Sequence, residues 1–335
     1  MFKNFSKKAQ ARGLKTSLAV GLGFFSFLST AQADTLKTVH YLLAAPEILP
    51  AFAPWVLADK LGYYAQAGYD VKFAIAKGGV DVAKQVGVGN AQLGSALGDT
   101  PIIVRPNGIK VKDVAVMGGG ALTVITVRPD VGVKKLQDLK GKTIVVLSYE
   151  DTTYYALLGA LASVGIDKSQ VNIEAVGPAG VTMFVKTGKA AACACTPDWD
   201  ANIKMTLPTA MTFPTQDYFP SMAQSILASD QTIQQDPQMV RAIVQATLKA
   251  MDYIRQDPAA AADQYIKFEP IYASKRQFII DSLTAYAKYE YKPQPVTGAI
   301  DPAALEKLQN FYLAHKIVTK SVPVSELYDN QFVQN

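Results

Sequence analysis

Histidine and cysteine are almost missing from this 335-residue chain, with two of each: His40, His315, Cys193 and Cys195. No spacing among them matches a zinc site, and no nucleophile–base pair stands out, which argues against an enzyme and leaves no metal or cofactor to expect. Cys193 and Cys195 sit two apart on an expected strand, where Cα atoms lie about 6.5–7 Å apart. That is at the upper limit for an unstrained bridge. Two small buried side chains are therefore expected, with a redox pair or metal site as the alternative. Also lacking are tandem repeats, charge blocks, low-complexity segments and any apolar run near the roughly 20 residues that span a bilayer.

Acidic residues are absent before Asp34, whereas Lys3, Lys7, Lys8, Arg12 and Lys15 all fall there. A short apolar stretch, Leu18 to Leu28, follows and ends at Ala31-Gln32-Ala33. A basic start, an apolar middle and an A-x-A end describe a cleaved secretory signal peptide over residues 1–33 and a periplasmic mature protein. Five of the 33 basic residues leave with it, so basic and acidic residues balance and the formal charge of +5 disappears. No field remains to attract nucleic acid or a membrane surface.

With 49% hydrophobic and 18% charged residues, the remainder can bury a substantial core. Strand-like and helix-like segments alternate. Strands are expected at 36–43, 69–76, 91–96, 111–117, 123–127, 143–147, 171–176, 190–195 and 222–228. Helical spacing fills 50–61, 80–88, 152–164 and 181–187, with a short helix at 133–139. This interleaving implies parallel βαβ units in an α/β fold. Gly165 and Gly188 stand where helix C-termini need left-handed caps. Beyond residue 228 the chain reads as helical, with Val240, Ile243, Val244, Thr247, Leu248, Met251 and Ile254 in one stripe. Pro258, Ser274 and Asp301-Pro302 open further helices.

Four segments carry a family resemblance: Leu61 to Val71 (LGYYAQAGYDV), Ala91 to Ala96 (AQLGSA), Leu136 to Val146 (LQDLKGKTIVV), and Lys186 to Ala191 (KTGKAA). Together they make the chain resemble periplasmic solute-binding proteins of ABC importers for taurine, alkanesulfonates, nitrate and the pyrimidine precursor of thiamine. The third segment is the most specific. Gln92 and Ala190-Ala191 depart from the family's usual Asp-containing patterns, so no single member's ligand carries over. The resemblance implies a type II binding-protein fold of two hinged lobes. Lobe 1 would comprise residues 34–121 and 222–335, the latter with the C-terminal helices, and lobe 2, inserted into it, residues 122–221. It further implies a monomer that delivers a small molecule to an ABC transporter permease.

In open α/β sheets ligands bind beyond the carboxyl ends of strands, near helix N-termini. Applied here, that rule nominates Ala45, Pro46 and Glu47 after the first strand, Lys77, Gly78 and Gly79 after the second, and Leu97, Gly98, Asp99 and Thr100 after the third. From the second series it nominates Ser148, Tyr149, Glu150, Asp151, Thr152 and Thr153, then Gly177, Pro178, Ala179 and Gly180, then Thr196, Pro197, Asp198 and Trp199. Each has an ordinary alternative: tight turns for the glycines, helix caps for the polar residues, core for the aromatics. These strand-end loops hold Glu47, Asp99, Glu150, Asp151, Asp198 and Asp200 against Lys77 alone. Such a balance favours a neutral or amino-bearing heteroaromatic solute over a sulfonate, taurine or nitrate anion, which is the alternative. From other classes, a pyrimidine-synthase-like enzyme and a sensor for a membrane receptor compete. The first would need a cysteine-rich stretch and histidine, and Cys193-Ala194-Cys195 is a thin counterpart.

Overall fold

The computed structural model describes residues 35–334; the expected signal peptide lies outside them. Among these residues, ten strands form two five-stranded sheets. The first holds β1 (Lys37–Leu43), β2 (Tyr69–Ile75), β3 (Leu93–Leu97), β4 (Val111–Val116) and β10 (Gln224–Ser229) in the order β2-β1-β3-β10-β4. The second holds β5 (Val124–Val127), β6 (Thr143–Val146), β7 (Asn172–Ala175), β8 (Ala192–Cys195) and β9 (Met211–Pro214) in the order β7-β6-β8-β5-β9.

The two orders are the same pattern. In each sheet three neighbouring strands are parallel, and the strand that has just crossed from the other sheet runs antiparallel: β5 in the second, β10 in the first. The chain crosses out through residues 117–123 and back through 215–223. The molecule is thus a two-lobed α/β protein with the second lobe inserted in the first, as expected. The strands of both sheets are rich in buried Val, Ile, Leu and Ala, because helices cover their faces.

The helices are α1 (Ala53–Lys60), α2 (Tyr63–Gln66), α3 (Gly79–Gly87), α4 (Thr100–Val104), α5 (Thr152–Ser163), α6 (Gly177–Lys186) and α7 (Pro197–Lys204). Past the second crossing come α8 (Asp230–Gln235), α9 (Pro237–Gln256), α10 (Pro258–Phe268), α11 (Arg276–Tyr289) and α12 (Pro302–Ala314). The whole expected stripe of α9, Val240 to Ile254, is buried. Each large aliphatic in it contributes about 1.5–3 kcal/mol by leaving water. Thr247 in that stripe also bonds Tyr64 Oη at 2.8 Å, tying α9 to α2. Gly165 and Gly188 adopt φ of 76° and 79°, the left-handed caps the sequence calls for. Among the described residues no helix is long and apolar enough to cross a membrane.

Three expectations change. The helix expected over 181–187 starts at Gly177, where a Pro in the second position opens it, so Gly177 and Pro178 belong to its first turn. The short helix expected over 133–139 is a 3-10 turn, Leu136–Leu139. Cys193 and Cys195 are joined as a disulfide rather than standing as separate thiols. Their Cα atoms are 5.6 Å apart, closer than an extended strand gives and inside the range a bridge spans. Strand β9 went unread because Met-Thr-Phe-Pro is short, half-buried and ends in proline.

Candidate functional site

The central strands of the two sheets, β1 and β3 in the first and β6 and β8 in the second, end around one small cavity of about 40 Å³. From the first sheet the wall is Ala44, Ala45, Ala51 and Phe52 after β1, with Ser95 and Leu97 of β3 and Gln224 of β10. From the second it is Leu147, Asp151, Thr152 and Thr153 after β6, and Thr196 and Trp199 after β8. Trp199 and Phe52 supply aromatic surface, Ser95 and the three threonines supply hydroxyls, and Asp151 alone among the lining residues carries charge.

Asp151 is the N-cap of α5. Its Oδ1 accepts the Thr153 backbone N–H at 2.9 Å and also the Thr153 hydroxyl. Burial pushes its carboxyl up, and these bonds together with the Gly79 N–H pull it back. The opposing lobe closes over this cap. Val80 N–H donates to the Glu150 carbonyl at 2.9 Å, Ser148 Oγ–H donates to the Lys77 carbonyl at 2.5 Å, and Lys84 pairs with Glu150 at 2.6 Å. Gly78 makes the approach possible. Its φ is +128°, and a Cβ there would lie 2.6 Å from the Asp151 Cα.

Of the residues nominated from sequence, the structure brings Ala45, Leu97, Asp151, Thr152, Thr153, Thr196 and Trp199 into the cavity wall. Gly78, Gly79 and Ser148 form the contact between the lobes just described. The exposed Tyr149 donates its hydroxyl to the Ile173 carbonyl at 2.9 Å. Gly177 and Pro178 follow the outer strand β7 and do not line the cavity; neither do the half-buried Pro46 and Glu47. Thr100 is buried and its hydroxyl accepts the Leu97 N–H at 3.3 Å.

Asp99 and Asp198 stand at corresponding places, after β3 and after β8, and share one fate. Tyr312 of α12 donates its hydroxyl to Asp99 Oδ2 at 2.5 Å, and Tyr286 of α11 donates to Asp198 Oδ1 at 2.5 Å. Thr196 also donates to Asp198, at 2.6 Å. Both carboxylates are buried, and neither lines the cavity. Burial pushes the Asp99 carboxyl up to about 7, while Asp198 rises for the same reason and is pulled back by its donors.

Behind the cavity lies the crossing segment. Glu290, after α11, accepts the Gln224 backbone N–H at 2.6 Å through Oε1, while its Oε2 is buried without a partner among the described residues. A Cβ at Gly120 would collide with the Tyr289 carbonyl, so the outgoing crossing packs directly on the end of α11. Burial pushes the Glu290 carboxyl up to about 8, against the pull of the Gln224 N–H.

Sequence reasoning missed Gln224, Ser95, Phe52, Ala44 and Ala51. Gln224 had a readable signal: it opens an antiparallel strand, so its amino end lies beside the carboxyl end of β3, paired with Leu97.

Known proteins agree with this architecture. The riboflavin-binding protein RibY of Chloroflexus aurantiacus is 24% identical, over 88% of this chain and 87% of its own. The alkanesulfonate-binding protein SsuA from Xanthomonas axonopodis pv. citri, solved bound to MOPS, superposes with a TM-score of 0.70 at 17% identity, over 88% of this chain and 98% of that one. The periplasmic aliphatic sulphonate-binding protein SsuA from Escherichia coli gives 0.67 at 15% identity, over 89% and 94%. The family model described as NMT1/THI5 like matches residues 49–261, from the loop after β1 through both crossings into α10. That match takes in most of the cavity wall and more than half of the sequence, and the chain belongs to the NMT1/THI5-like family.

Proposed function

We propose that the protein is an extracytoplasmic solute receptor that holds a neutral or amino-bearing planar heteroaromatic molecule between its lobes and delivers it to an ABC transporter permease. The observation that carries this reading is the charge of the cavity wall: one carboxylate, Asp151, and no lysine, arginine or histidine among the described lining residues. A small anion placed there would face Asp151 without a counter-charge, and leaving charged groups unmatched in a buried site is costly. Trp199 and Phe52 suit a flat ring, and the hydroxyls of Thr152, Thr153, Thr196 and Ser95 suit ring heteroatoms. The riboflavin-binding relative supports the same class, since riboflavin is an uncharged heteroaromatic. The sulfonate-binding structures share the fold at lower identity and carry no ligand over.

Binding without turnover is supported by what the wall offers among the described residues: no cysteine or histidine lines it, and its two hydroxyl–carboxylate pairs, Thr153 with Asp151 and Thr196 with Asp198, lie in the first turns of α5 and α7. A cavity of about 40 Å³ is far smaller than such a solute. Capture therefore requires the contacts of Gly78, Ser148 and Lys84 to part, and the walls to spread as the lobes close again over the ligand. The cleaved signal peptide and periplasmic location belong to the same proposal and rest on the Ala31-Gln32-Ala33 ending.

Isothermal calorimetry with riboflavin, taurine, an alkanesulfonate and nitrate tests the reading. Micromolar or tighter binding of riboflavin or another flat neutral heterocycle is expected, with none for the anions. Micromolar binding of a sulfonate with none for heterocycles would overturn it. Native mass spectrometry of freshly exported protein identifies a co-purifying ligand independently.

A further inference from the structure

Gln224 is the anomaly in this cavity. Its backbone is fully used: the N–H donates to Glu290 at 2.6 Å, the carbonyl accepts the Met117 N–H at 2.7 Å, and β10 pairs it with Leu97. The residue is 4% exposed and lines the cavity. Yet its side-chain amide makes no hydrogen bond among the described residues, and Oε1 is buried without a partner. Buried amides are ordinarily paired, and an unpaired one weakens the fold. Such a group persists at a binding site when something other than the protein pairs it.

We propose that Gln224 is the specificity-determining residue of the site, its primary amide pairing edge-on with a lactam or imide edge (C=O beside N–H) of the ligand ring. This deepens the proposed function and rests on it. A primary amide offers one acceptor and two donors in a plane. Its complement is a ring edge on which an N–H donor and a carbonyl acceptor adjoin, as at the pyrimidine end of a flavin. Gln224 is well placed for such selection. Its Cα is fixed by β3 on one side and by Glu290 on the other, so the amide is presented by a rigid strand rather than a loop. A ligand with a methyl group on that nitrogen leaves the amide unpaired again, which sites built to bond an N–H reject strongly.

The test is a cycle of two proteins and two ligands: wild type and Gln224→Met, each titrated with riboflavin and with 3-methylriboflavin, in which the imide N–H is replaced. Met keeps length and volume but removes both hydrogen-bonding functions. Wild type is expected to bind riboflavin at least tenfold more tightly than its methyl derivative. In Gln224→Met riboflavin should weaken at least tenfold and the preference between the two flavins should vanish. Without ligand, Gln224→Met should melt no lower than wild type, because an unpaired buried amide has been removed. A preference that persists in the variant, or unchanged riboflavin affinity, would overturn the inference and leave the proposed function standing. If wild type binds neither flavin, the flavin-like ligand class falls instead, and ligand-free melting then decides Gln224. A variant that melts several degrees lower shows a structural amide and overturns the inference; one that melts at or above wild type upholds an amide reserved for a ligand.

Discussion

The two lobes order their strands identically, and both wall the cavity from equivalent strand ends, β1 and β3 against β6 and β8. What they place there differs. The first lobe presents alanines, Leu97 and Phe52, with Ser95 and Gln224 as its polar groups; the second presents Asp151, three threonine hydroxyls and Trp199. One wall gives mainly shape and one gives mainly polar contact. The difference follows from local structure: β6 runs into α5, whose first turn carries Asp151, Thr152 and Thr153, whereas β1 runs into an apolar 3-10 turn at Pro50–Phe52. In a receptor that closes on its ligand, this division predicts that the solute docks first on the polar second lobe and that the first lobe then shuts over it.

The strongest way to break the comparison is to stop the first lobe from shutting. Gly78→Ala puts a methyl group 2.6 Å from the Asp151 Cα at a φ of +128°. The substitution lies at the contact between the lobes and outside the strands of either sheet, so the variant should fold, but the closed state is penalised. We expect ligand affinity to fall about 100-fold and the X-ray scattering radius with saturating ligand to stay near the ligand-free value. Unchanged affinity would show that binding does not need this contact.

The next variant probes the polar wall itself. Asp151→Asn removes the one charge lining the cavity while keeping an acceptor for the Thr153 N–H. An amino-bearing ligand should lose about tenfold in affinity, the order of a charge-assisted bond, whereas a neutral one should change little. Equal losses for both would mean that the carboxylate orders α5 rather than reading the ligand.

A third prediction concerns the crossing that joins the lobes. The Glu290 carboxyl is raised to about 8 by burial, so the folded state holds a proton that the unfolded chain releases near 4.5. Its contribution to stability is fully present below about pH 4.5 and is lost as pH rises through about 8. Glu290→Gln keeps the acceptor for Gln224 N–H and removes the titration. Melting temperature measured from pH 5 to 9 should fall less steeply in the variant, which should gain at least about 1 kcal/mol at pH 9. Parallel profiles would show that Glu290 is not the group responsible.

Much of this was legible beforehand. Period-two and period-3.6 patterning places nine of the ten strands among the described residues, and β9 escapes because Met-Thr-Phe-Pro is half-buried and ends in proline. The resemblance to solute-binding proteins supplies the two-lobed insertion. The strand-end rule points to the ends of β1, β3, β6 and β8, which surround the cavity. It does not resolve which side chains turn inward. Gln224 escapes it because the rule looks beyond carboxyl ends, and β10 reaches the cleft with its amino end. The carboxylates after β3 and β8 read as free because their partners, Tyr312 and Tyr286, lie 213 and 88 residues away.

Those two tyrosine-bound carboxylates give the smallest expected effect and the sharpest check on the division between the walls. Asp99 and Asp198 occupy matching positions in the two lobes, so a ligand-reading role would appear as a loss of affinity in Asp99→Asn, Asp198→Asn or both. The geometry predicts otherwise. Each carboxylate accepts a tyrosine hydroxyl at 2.5 Å from a C-terminal helix, and neither lines the cavity. An Asn carbonyl can still accept that hydroxyl, so the hydrogen bond survives in neutral form. Affinity should therefore stay within about threefold of wild type for either variant, since about 0.6 kcal/mol is what a change remote from the ligand commonly leaves. Asp99→Asn also removes a group raised to about 7, whose stabilising contribution is complete below the ordinary Asp range and lost as pH rises through 7. Its melting profile should accordingly be flatter between pH 5 and 8 while the calorimetric trace is unaltered. Tenfold weaker binding in Asp198→Asn, with an unchanged melting profile, would instead place that carboxylate against the ligand and make the second lobe's wall doubly charged.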